Sequence, residues 1–386
     1  MSEIKLSRRI RLGMVGGGQG SLIGEAHRIA SRLDDKYEFC AGSLSSDPAR
    51  SMASAKEIGL SLDRSYSDYT EMANSEAARD DGIDVVAVVT PNNTHYAIAK
   101  TFLEAGIHVI CDKPMTLTVE EADSLRETAK RNDRILAVTY NYTGYAMVRE
   151  AREIIARGDL GKIRVIQAHY AQDWLTNRIE LEGQKQAAWR TDPEKSGVGG
   201  TINDIGTHAY HLACFVSGLK LESLCADLST FVEGRLLDDN VHILLRFKGG
   251  AKGMLWASQI AVGNENDVKI SVYGDKGGLI WQQEQPNEIS FMEFGKPRQR
   301  ITRGGPSGHP TSPTSIIRMP NGHPEGYLEG FATIYSQVAI AINAANEGRK
   351  LDSNILFPTG DDGRSGVAFV DAAVRSSSAG SIWVDL

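Results

Sequence analysis

Apolar and polar positions follow one pattern in the first part of the 386-residue chain. Up to about residue 140, short apolar runs alternate with longer stretches in which apolar residues recur at helical spacing. A strand buried on both faces reads as a continuous apolar run, and a helix after it leads to a parallel neighbour. The runs of this kind are Ile10–Val15, Tyr37–Leu44, Val85–Thr90, His108–Cys111 and Ile135–Tyr140. This part of the chain is therefore predicted to be α/β, with a doubly wound parallel sheet.

The pattern changes after about residue 145. Strand-like runs now follow one another with only short turns between them, such as Lys248-Gly249-Gly250, and such turns join antiparallel strands. The Gly-, Pro- and Ser-rich stretch Lys296–Gly326 is predicted to be a long loop. The predicted strands are Ile163–Gln172, Ser223–Val232, Val241–Phe247, Ala251–Ala261, Val268–Tyr273 and Gly278–Gln283.

These two patterns predict two domains. Residues 1–142 are assigned to a dinucleotide-binding domain of the Rossmann type. Residues 143–386 are assigned to an α+β domain with a large, mostly antiparallel open sheet. Helical patterns at about 204–216, 326–346 and 363–378 are expected to cover one face of that sheet.

Composition narrows the classes of protein to which the chain can belong. Hydrophobic residues make up 41% and charged residues 24%, a balance typical of globular chains. No apolar run approaches the roughly 20 residues that span a bilayer, so no membrane association is expected. The net charge of −7 provides no attraction for nucleic acid. The four cysteines show no paired spacing, so neither disulfides nor a metal site is predicted, and the cytoplasm is the expected location.

A glycine-rich turn follows the first predicted strand. It runs from Gly16 to Gly20, and Gly24 opens the helix that comes next. Glycines let the backbone approach a pyrophosphate, whose charge is stabilised at a helix N-terminus. Ser21 stands at the third position of the GxGxxG fingerprint, so the spacing departs from the usual motif. Because the turn opens a βαβ pattern, we predict a dinucleotide site that uses Gly16, Gly18, Gln19 and Gly20.

The end of the second predicted strand bears on the choice between NAD and NADP. An acidic residue at this point usually receives the 2′-hydroxyl of the NAD ribose. Here Ser45, Ser46 and Arg50 offer two hydroxyls and a cation that suit a 2′-phosphate, while Asp47 suits NAD. Asp47 before Pro48 is also the pattern of a helix N-cap. We expect NAD or NADP, with a slight preference for NADP.

Three further segments, in this order along the chain, resemble motifs of the glucose–fructose oxidoreductase/inositol dehydrogenase (Gfo/Idh/MocA) family. Thr90–His95 is similar to its TPNxxH turn, and Gly106–Pro114 to its GxHVxxEKP segment, with Asp112 in place of Glu. Gly199–His208 is similar to its GGxxxDxGxH segment, although His211 replaces the usual later Asp. The resemblance implies an NAD(P)-dependent oxidoreductase that acts on a sugar or polyol. It also implies that the cofactor contacts Thr90, Pro91, Asn92, His95, Asp112 and Lys113, although Asn92 and His95 could equally be turn and cap residues.

The residue types in these motifs fit the oxidation of a secondary alcohol. That reaction needs a base for the hydroxyl proton and a donor that stabilises the developing oxyanion. Asp204 and His208 are four residues apart, which on a helix puts them on one face. Asp204 would orient the imidazole or bind a substrate hydroxyl, His208 would relay the proton, and Lys113 would hold the reacting oxygen. The resemblance implies the same three residues; the alternative is a capped helix with a structural histidine and a solvated lysine.

Polar and aromatic residues elsewhere are candidates for substrate binding. Aromatic rings stack on sugars, although buried aromatic side chains more often belong to a hydrophobic core. The candidates, in addition to Lys113, Asp204 and His208, are Asn141, Tyr142, Trp174, Trp189, Arg190 and Tyr327.

Three functions remain open on this evidence. The leading one is a dehydrogenase of a sugar, glycoside or inositol-type polyol. A non-catalytic regulator that binds cofactor would not need a complete set of Lys113, Asp204 and His208. A glycoside hydrolase that uses bound NAD transiently would release free sugar without net cofactor turnover.

The second sheet also predicts a homo-oligomer. Strands such as Leu255–Ala261 and Val268–Tyr273 carry apolar or aromatic residues in both alternating sets, and the predicted helices are too few to cover both faces. A large exposed apolar patch is unusual on a monomer, so a second subunit is the expected cover. The family resemblance implies a dimer or tetramer as well.

Overall fold

A computed structural model describes residues 6–304 and 316–386, which divide into two compact units. The first unit contains the described residues up to Asn141 together with Leu328–Arg364. The second contains the described residues of Tyr142–Tyr327 and Ser365–Leu386. Residues 305–315 of the predicted loop Lys296–Gly326 lie outside the described residues.

Parallel strands and helices alternate in the first unit. Its sheet, within the described residues, has five parallel strands in the order β2-β1-β3-β4-β5. Ser21, Asp47, Asp68 and Thr118 begin four of its helices, each accepting a backbone N–H as an N-cap. The strands are β1 Ile10–Gly16, β2 Tyr37–Ser43, β3 Val85–Val89, β4 His108–Cys111 and β5 Leu136–Val138. The helices are α1 Leu22–Leu33, α2 Pro48–Glu57, α3 Tyr69–Ala77, α4 His95–Glu104 and α5 Val119–Arg131. The predicted doubly wound sheet is confirmed.

A second sheet dominates the second unit, and the prediction of a mostly antiparallel sheet is confirmed. Its nine strands in the described ranges have the order β13-β12-β11-β10-β6-β9-β8-β7-β14. Only the β6–β9 pair among them is parallel. The strands are β6 Ile163–Ala171, β7 Leu221–Ser229, β8 Asn240–Phe247, β9 Lys252–Ser258, β10 Asp267–Gly274, β11 Gly277–Gln282, β12 Glu288–Glu293, β13 Gln299–Thr302 and β14 Val384–Asp385. The α-helices that follow β5 in the described residues are α6 Ala146–Ala156, α7 Lys185–Arg190, α8 Pro193–Ser196, α9 Thr207–Ser217, α10 Tyr327–Asn346 and α11 Gly360–Ser378.

Helices α6, α9 and the later part of α11 pack on one face of the second sheet. The Tyr210 ring of α9 stacks on the Phe369 ring of α11 with centroids 4.2 Å apart. On the opposite face Leu244 and Met254 are cross-strand neighbours that remain 54% and 43% exposed. Alternation along each strand thus separates a buried face from an open one.

The prediction that helix α10 covers the second sheet is wrong. The sequence assigned the helical pattern at 326–346 to the cover of the second sheet. The structure instead packs it in the first unit from Leu328 onward, where Phe331 and Tyr335 share a core with Ile10. The Tyr37 hydroxyl donates to the carbonyl oxygen of Tyr335 at 2.8 Å. An apolar stripe predicts burial but does not identify the sheet that buries it.

None of the helices in the described stretches is long and apolar enough to cross a membrane.

Candidate active site

The glycine-rich turn joins β1 to α1 as predicted. Ser21 is the N-cap of α1, and its Oγ accepts the N–H of Gly24 at 3.2 Å. Gly16 has a φ of 81°, which favours glycine, and a Cβ there would lie 2.6 Å from the carbonyl oxygen of Val89. A Cβ on Gly24 would lie 2.3 Å from the Cα of Gly17. The close packing explains why glycines recur beyond the GxGxxG spacing.

Gln19, within the glycine-rich turn, contacts α2. The Gln19 backbone N–H donates to Ser54 Oγ at 3.1 Å, and its side chain donates to Glu57 Oε2 at 2.7 Å. The turn borders a cavity of about 480 Å³ between α1 and α2, lined also by Arg28 and Leu44. Gly18, Gln19 and Gly20 therefore lie together at the start of a helix beside open volume.

The residues after β2 form a helix cap. Asp47 Oδ1 accepts the N–H of Arg50 at 2.7 Å, and Ser45 Oγ accepts the N–H of Asp47 at 3.2 Å. Pro48 occupies the first turn of α2. The structure therefore gives Asp47 the capping role that the sequence left as an alternative, while the Ser46 and Arg50 side chains are exposed.

His95 connects the turn after β3 to the turn after β4. One imidazole nitrogen, Nδ1, lies 2.7 Å from the carbonyl oxygen of Pro114, and Nε2 lies 2.8 Å from that of Thr90. Asp112 Oδ1 accepts the Lys113 N–H at 3.0 Å and the Thr139 hydroxyl at 2.6 Å. The predicted cofactor residues Thr90, Pro91, Asn92, His95, Asp112 and Lys113 are thus brought together at the carboxyl ends of β3 and β4. Ligands of open α/β sheets bind at this edge.

Asn141 follows β5 at the same edge of the first sheet. Its side chain is buried, with the residue only 3% exposed. The Nδ2 atom has no hydrogen-bond partner among the described residues. A buried amide donor without a partner is costly, so this atom suits contact with a bound polar group.

Asp204 lies in a π-helical turn, Ile202–Gly206, that continues directly into α9. Its Oδ2 accepts a hydrogen bond from Gln259 Nε2 at 2.8 Å and lies 3.2 Å from Arg190 Nε. The Arg190 guanidinium also lies over the Trp189 ring, 4.2 Å from its centroid. A cation and an amide donor on one oxygen stabilise the ionised carboxylate. Single π turns within helices are frequent at functional sites.

His208 lies in the first turn of α9 and packs against tyrosine side chains. Its ring is edge-on to Tyr142, with centroids 5.1 Å apart. The hydroxyls of Tyr142 and Tyr170 are 2.8 Å apart, and the Tyr170 hydroxyl also donates to Asn266 Oδ1 at 2.8 Å. Burial raises the pKa of both phenols well above the ordinary value. They therefore remain neutral hydrogen-bonding groups beside the imidazole.

Trp174 and Tyr327 are two further candidates for substrate binding. Trp174 is linked to Asn266 through Gln172, because its Nε1 donates to Gln172 Oε1 at 3.2 Å and Gln172 Nε2 donates to Asn266 Oδ1 at 2.9 Å. Tyr327 begins α10 and is 43% exposed. Lys113 and Asn141 belong to the first unit, whereas Asp204 and His208 belong to the second.

Sequence reasoning missed three amides: Gln172, Gln259 and Asn266. Each lies at the end of a strand, where no motif marks it. The sequence contained one indication for Gln259. Alternate residues of a strand face the same side of a sheet, and Gln259 continues the buried series Leu255 and Ala257. A polar residue in the buried set of a strand needs a partner, and here the partner is Asp204.

Two family models match the chain. Residues 10–140 match the model described as an oxidoreductase family with an NAD-binding Rossmann fold, and residues 148–280 match the GFO/IDH/MocA C-terminal domain. The chain is 35% identical to the uncharacterized oxidoreductase YfiI of Bacillus subtilis, with 98% of each chain covered.

Solved structures extend the similarity to the whole fold. An oxidoreductase from Sinorhizobium meliloti is 51% identical, with a TM-score of 0.89 and coverage of 98% of this chain and 99% of that one. An inositol dehydrogenase homolog from Azotobacter vinelandii, complexed with NADH and myo-inositol, is 35% identical. Its TM-score is 0.91, with coverage of 99% of this chain and 98% of that one.

Proposed function

The chain belongs to the Gfo/Idh/MocA oxidoreductase family, and on that premise we propose that it is a dehydrogenase of a sugar, glycoside or inositol-type polyol. It would transfer hydride between NAD and a secondary hydroxyl of this substrate. The observation that carries the proposal is the Asp204 cluster, in which a carboxylate held by Arg190 and Gln259 lies one turn from His208. Carboxylate, imidazole and amide groups bind uncharged hydroxyls, and an imidazole or carboxylate can also deprotonate one.

The first unit suits a dinucleotide. The turn after β1 packs too closely for side chains at Gly16 and Gly24, and α1 begins there, where its N-terminus would stabilise the charge of a pyrophosphate. Asn141 Nδ2 offers a buried donor with no partner in the described part of the chain. A bound dinucleotide would supply an oxidised nicotinamide ring as the acceptor of the hydride from the carbinol carbon.

We propose NAD rather than NADP as the cofactor. The family model is described as NAD-binding, and the similar inositol dehydrogenase homolog is complexed with NADH. The slight preference for NADP that Ser45, Ser46 and Arg50 suggested has no support in the comparisons. Titration of both cofactors against the protein tests the choice. Clearly tighter NADP binding would contradict it.

Each of the three catalytic candidates receives a role. The Lys113 ammonium donates to the reacting oxygen and stabilises its developing negative charge. His208 accepts the hydroxyl proton on its imidazole, and the Asp204 carboxylate accepts a hydrogen bond from a neighbouring substrate hydroxyl. Asn141, Tyr142, Trp174, Trp189, Arg190 and Tyr327 are proposed to contribute to substrate binding. The residue chemistry and the family resemblance support these roles.

A substrate panel tests the reaction. Inositols, aldoses and glycosides are incubated with each cofactor, and the nicotinamide absorbance is followed while free sugar is assayed separately. We expect cofactor turnover with at least one polyol. Release of free sugar from glycosides without net cofactor turnover would indicate the hydrolase alternative. Cofactor binding without turnover of any member would indicate the regulator.

We also propose that a second copy of the chain covers the open face of the second sheet. Leu244 and Met254 are exposed on that face beside the half-buried Trp256. Hydrophobic side chains clustered on an open sheet are typical of subunit interfaces.

A further inference from the structure

Gln259 is held by hydrogen bonds at both ends of its side chain. It directly follows β9 and is only 2% exposed. Its Nε2 donates to Asp204 Oδ2 at 2.8 Å, and its Oε1 accepts the hydroxyl of Thr201 at 2.9 Å. A carboxylate can only accept hydrogen bonds, so the amide has one orientation that satisfies both contacts.

The backbone of Gln259 is fixed as well. Its N–H donates to the carbonyl oxygen of Asp239 at 3.0 Å, and its carbonyl oxygen accepts the N–H of Leu175 at 3.0 Å. The amide therefore projects from a constrained backbone. A group anchored on a sheet holds its partner more firmly than one carried by a loop.

The turn that carries Asp204 is fixed at its start by Asp238. The Asp238 carboxylate accepts the N–H groups of Gly200 and Ile202 at 2.7 and 2.8 Å. The Asp204 N–H donates to the carbonyl oxygen of Gly200 at 2.9 Å. The main chain of the turn is thus set independently of Gln259, which leaves the Asp204 side chain as the part that Gln259 controls.

Arg190 and Gln259 contribute differently to the same oxygen. Arg190 brings positive charge from the short helix α7, where it is also bonded to Gln186 Oε1 at 2.6 Å. Gln259 brings no net charge, and it follows the end of β9, an interior strand of the second sheet. Arg190 thus stabilises the ionised state of the carboxylate, and Gln259 fixes where its oxygens lie.

We propose that Gln259 is a positioning residue that orients the Asp204 carboxylate for the reaction. This inference rests on the proposed function, because it assumes that Asp204 contacts the substrate. It assigns Gln259 no direct contact with the substrate.

The principal test compares Gln259→Leu with Gln282→Leu. Gln282 is a matched control, because its Nε2 also donates to a carboxylate oxygen, Asp267 Oδ1, at 2.9 Å, but on the opposite face of the sheet. We expect Gln259→Leu to lower kcat by about tenfold to hundredfold, the usual cost of a small misplacement. The KM of the polyol should rise as well, because the Asp204 carboxylate that accepts a substrate hydroxyl is no longer held in place, whereas the KM of NAD should stay unchanged. Gln282→Leu should leave kcat and both KM values unchanged.

Two further variants keep the inference testable if Gln259→Leu folds poorly. Gln259→Glu keeps the shape but replaces the donor with a second carboxylate that repels Asp204, so the KM of the polyol should rise further and kcat should fall further. Thr201→Val removes only the contact to Gln259 Oε1 and should give a smaller loss of kcat. Unfolding curves of all variants establish which of them are folded.

A double-mutant cycle separates the failure of this inference from that of the proposed function. In an Asp204→Asn background, Gln259→Leu should change kcat by less than about threefold, because the group it positions is already altered. An undiminished effect in that background, or unchanged kcat and polyol KM in a folded Gln259→Leu protein, would overturn the positioning role alone. Wild-type turnover by Asp204→Asn would instead overturn the catalytic assignment of Asp204 and, with it, this inference.

Discussion

Lys113 is the residue whose removal tests the proposed chemistry most directly. It lies after β4, is half-buried, and its backbone N–H is bonded to Asp112 Oδ1. Lys113→Ala removes the proposed donor to the developing oxyanion, and we expect kcat to fall by about a hundredfold or more. The dissociation constant of NAD, measured by fluorescence titration, should stay within about threefold, because the glycine-rich turn is intact.

The control for Lys113 is Lys130→Ala, an exposed lysine of α5. It should behave as the wild-type protein does in both measurements. Substantial turnover by Lys113→Ala with unchanged substrate saturation would show that another group stabilises the reacting oxygen.

His108 makes the stability of the first unit depend on pH. Its Nδ1 accepts the N–H of Ile135 at 2.8 Å, and burial, assisted by Arg134, lowers the pKa of the imidazole to about 4. The unfolded chain binds the proton near pH 6.5, so the stabilisation is complete above that pH and is lost as the pH falls towards 4. The loss amounts to at most about 1.4 kcal/mol for each pH unit.

His108→Asn tests this dependence, because asparagine retains an acceptor near the position of Nδ1. The free energy of unfolding, measured in urea between pH 4 and 7, should fall less steeply with acidification than in the wild-type protein. The pKa of His27 is also lowered by burial, so His27 should still contribute to the dependence of the unfolding free energy on pH in His108→Asn. Identical slopes in the two proteins would exclude His108 as a source of acid sensitivity.

At the scale of elements, α10 is a structural part of the first unit. Phe331 is 2% exposed in a core that includes Ile10 and Leu12 of β1. Phe331→Ala should lower the free energy of unfolding by about 3–5 kcal/mol, the usual cost of truncating a buried phenylalanine. Hydrogen exchange should accelerate in β1, since that strand loses a neighbour.

Phe231→Ala provides the comparison, because Phe231 is 68% exposed. Its effect should stay within about 0.5 kcal/mol. Faster exchange confined to strands of the second sheet in Phe331→Ala would contradict the assignment of α10 to the first unit.

At the scale of the molecule, the open face of the second sheet predicts self-association. Charges introduced at Leu244 and Met254 would be buried without partners in an interface between copies. The double variant Leu244→Glu/Met254→Glu should therefore elute as a monomer in size-exclusion chromatography with light scattering. The wild-type protein should form a dimer or tetramer at micromolar concentration.

Val262→Glu places the same charge on a residue that is 77% exposed outside the strands. It should retain the wild-type assembly. A stable wild-type species of 42 kDa with full activity would refute the interface.

Local patterns in the sequence were sufficient for the fold class and the family. The apolar runs of the first part predicted its five parallel strands, because a strand buried on both faces carries a nearly unbroken apolar signal. The segments around Thr90, Lys113 and Asp204 identified the family, since each motif is continuous in the chain. The placing of Ser21 and Asp47 at helix starts follows from equally local hydrogen bonds.

Tertiary structure decided what depends on contacts between distant residues. Only packing assigned α10 to the first sheet, because its apolar stripe suits either core. Gln259 meets Asp204 across 55 positions of sequence, and Asn266 meets Tyr142 across 124, through strand pairing that no local pattern encodes. The sequence by itself thus determined which elements form and which motifs carry chemistry. The sheet pairing determined which unmarked amides hold those motifs in place, because hydrogen-bond partners are set by proximity in the fold.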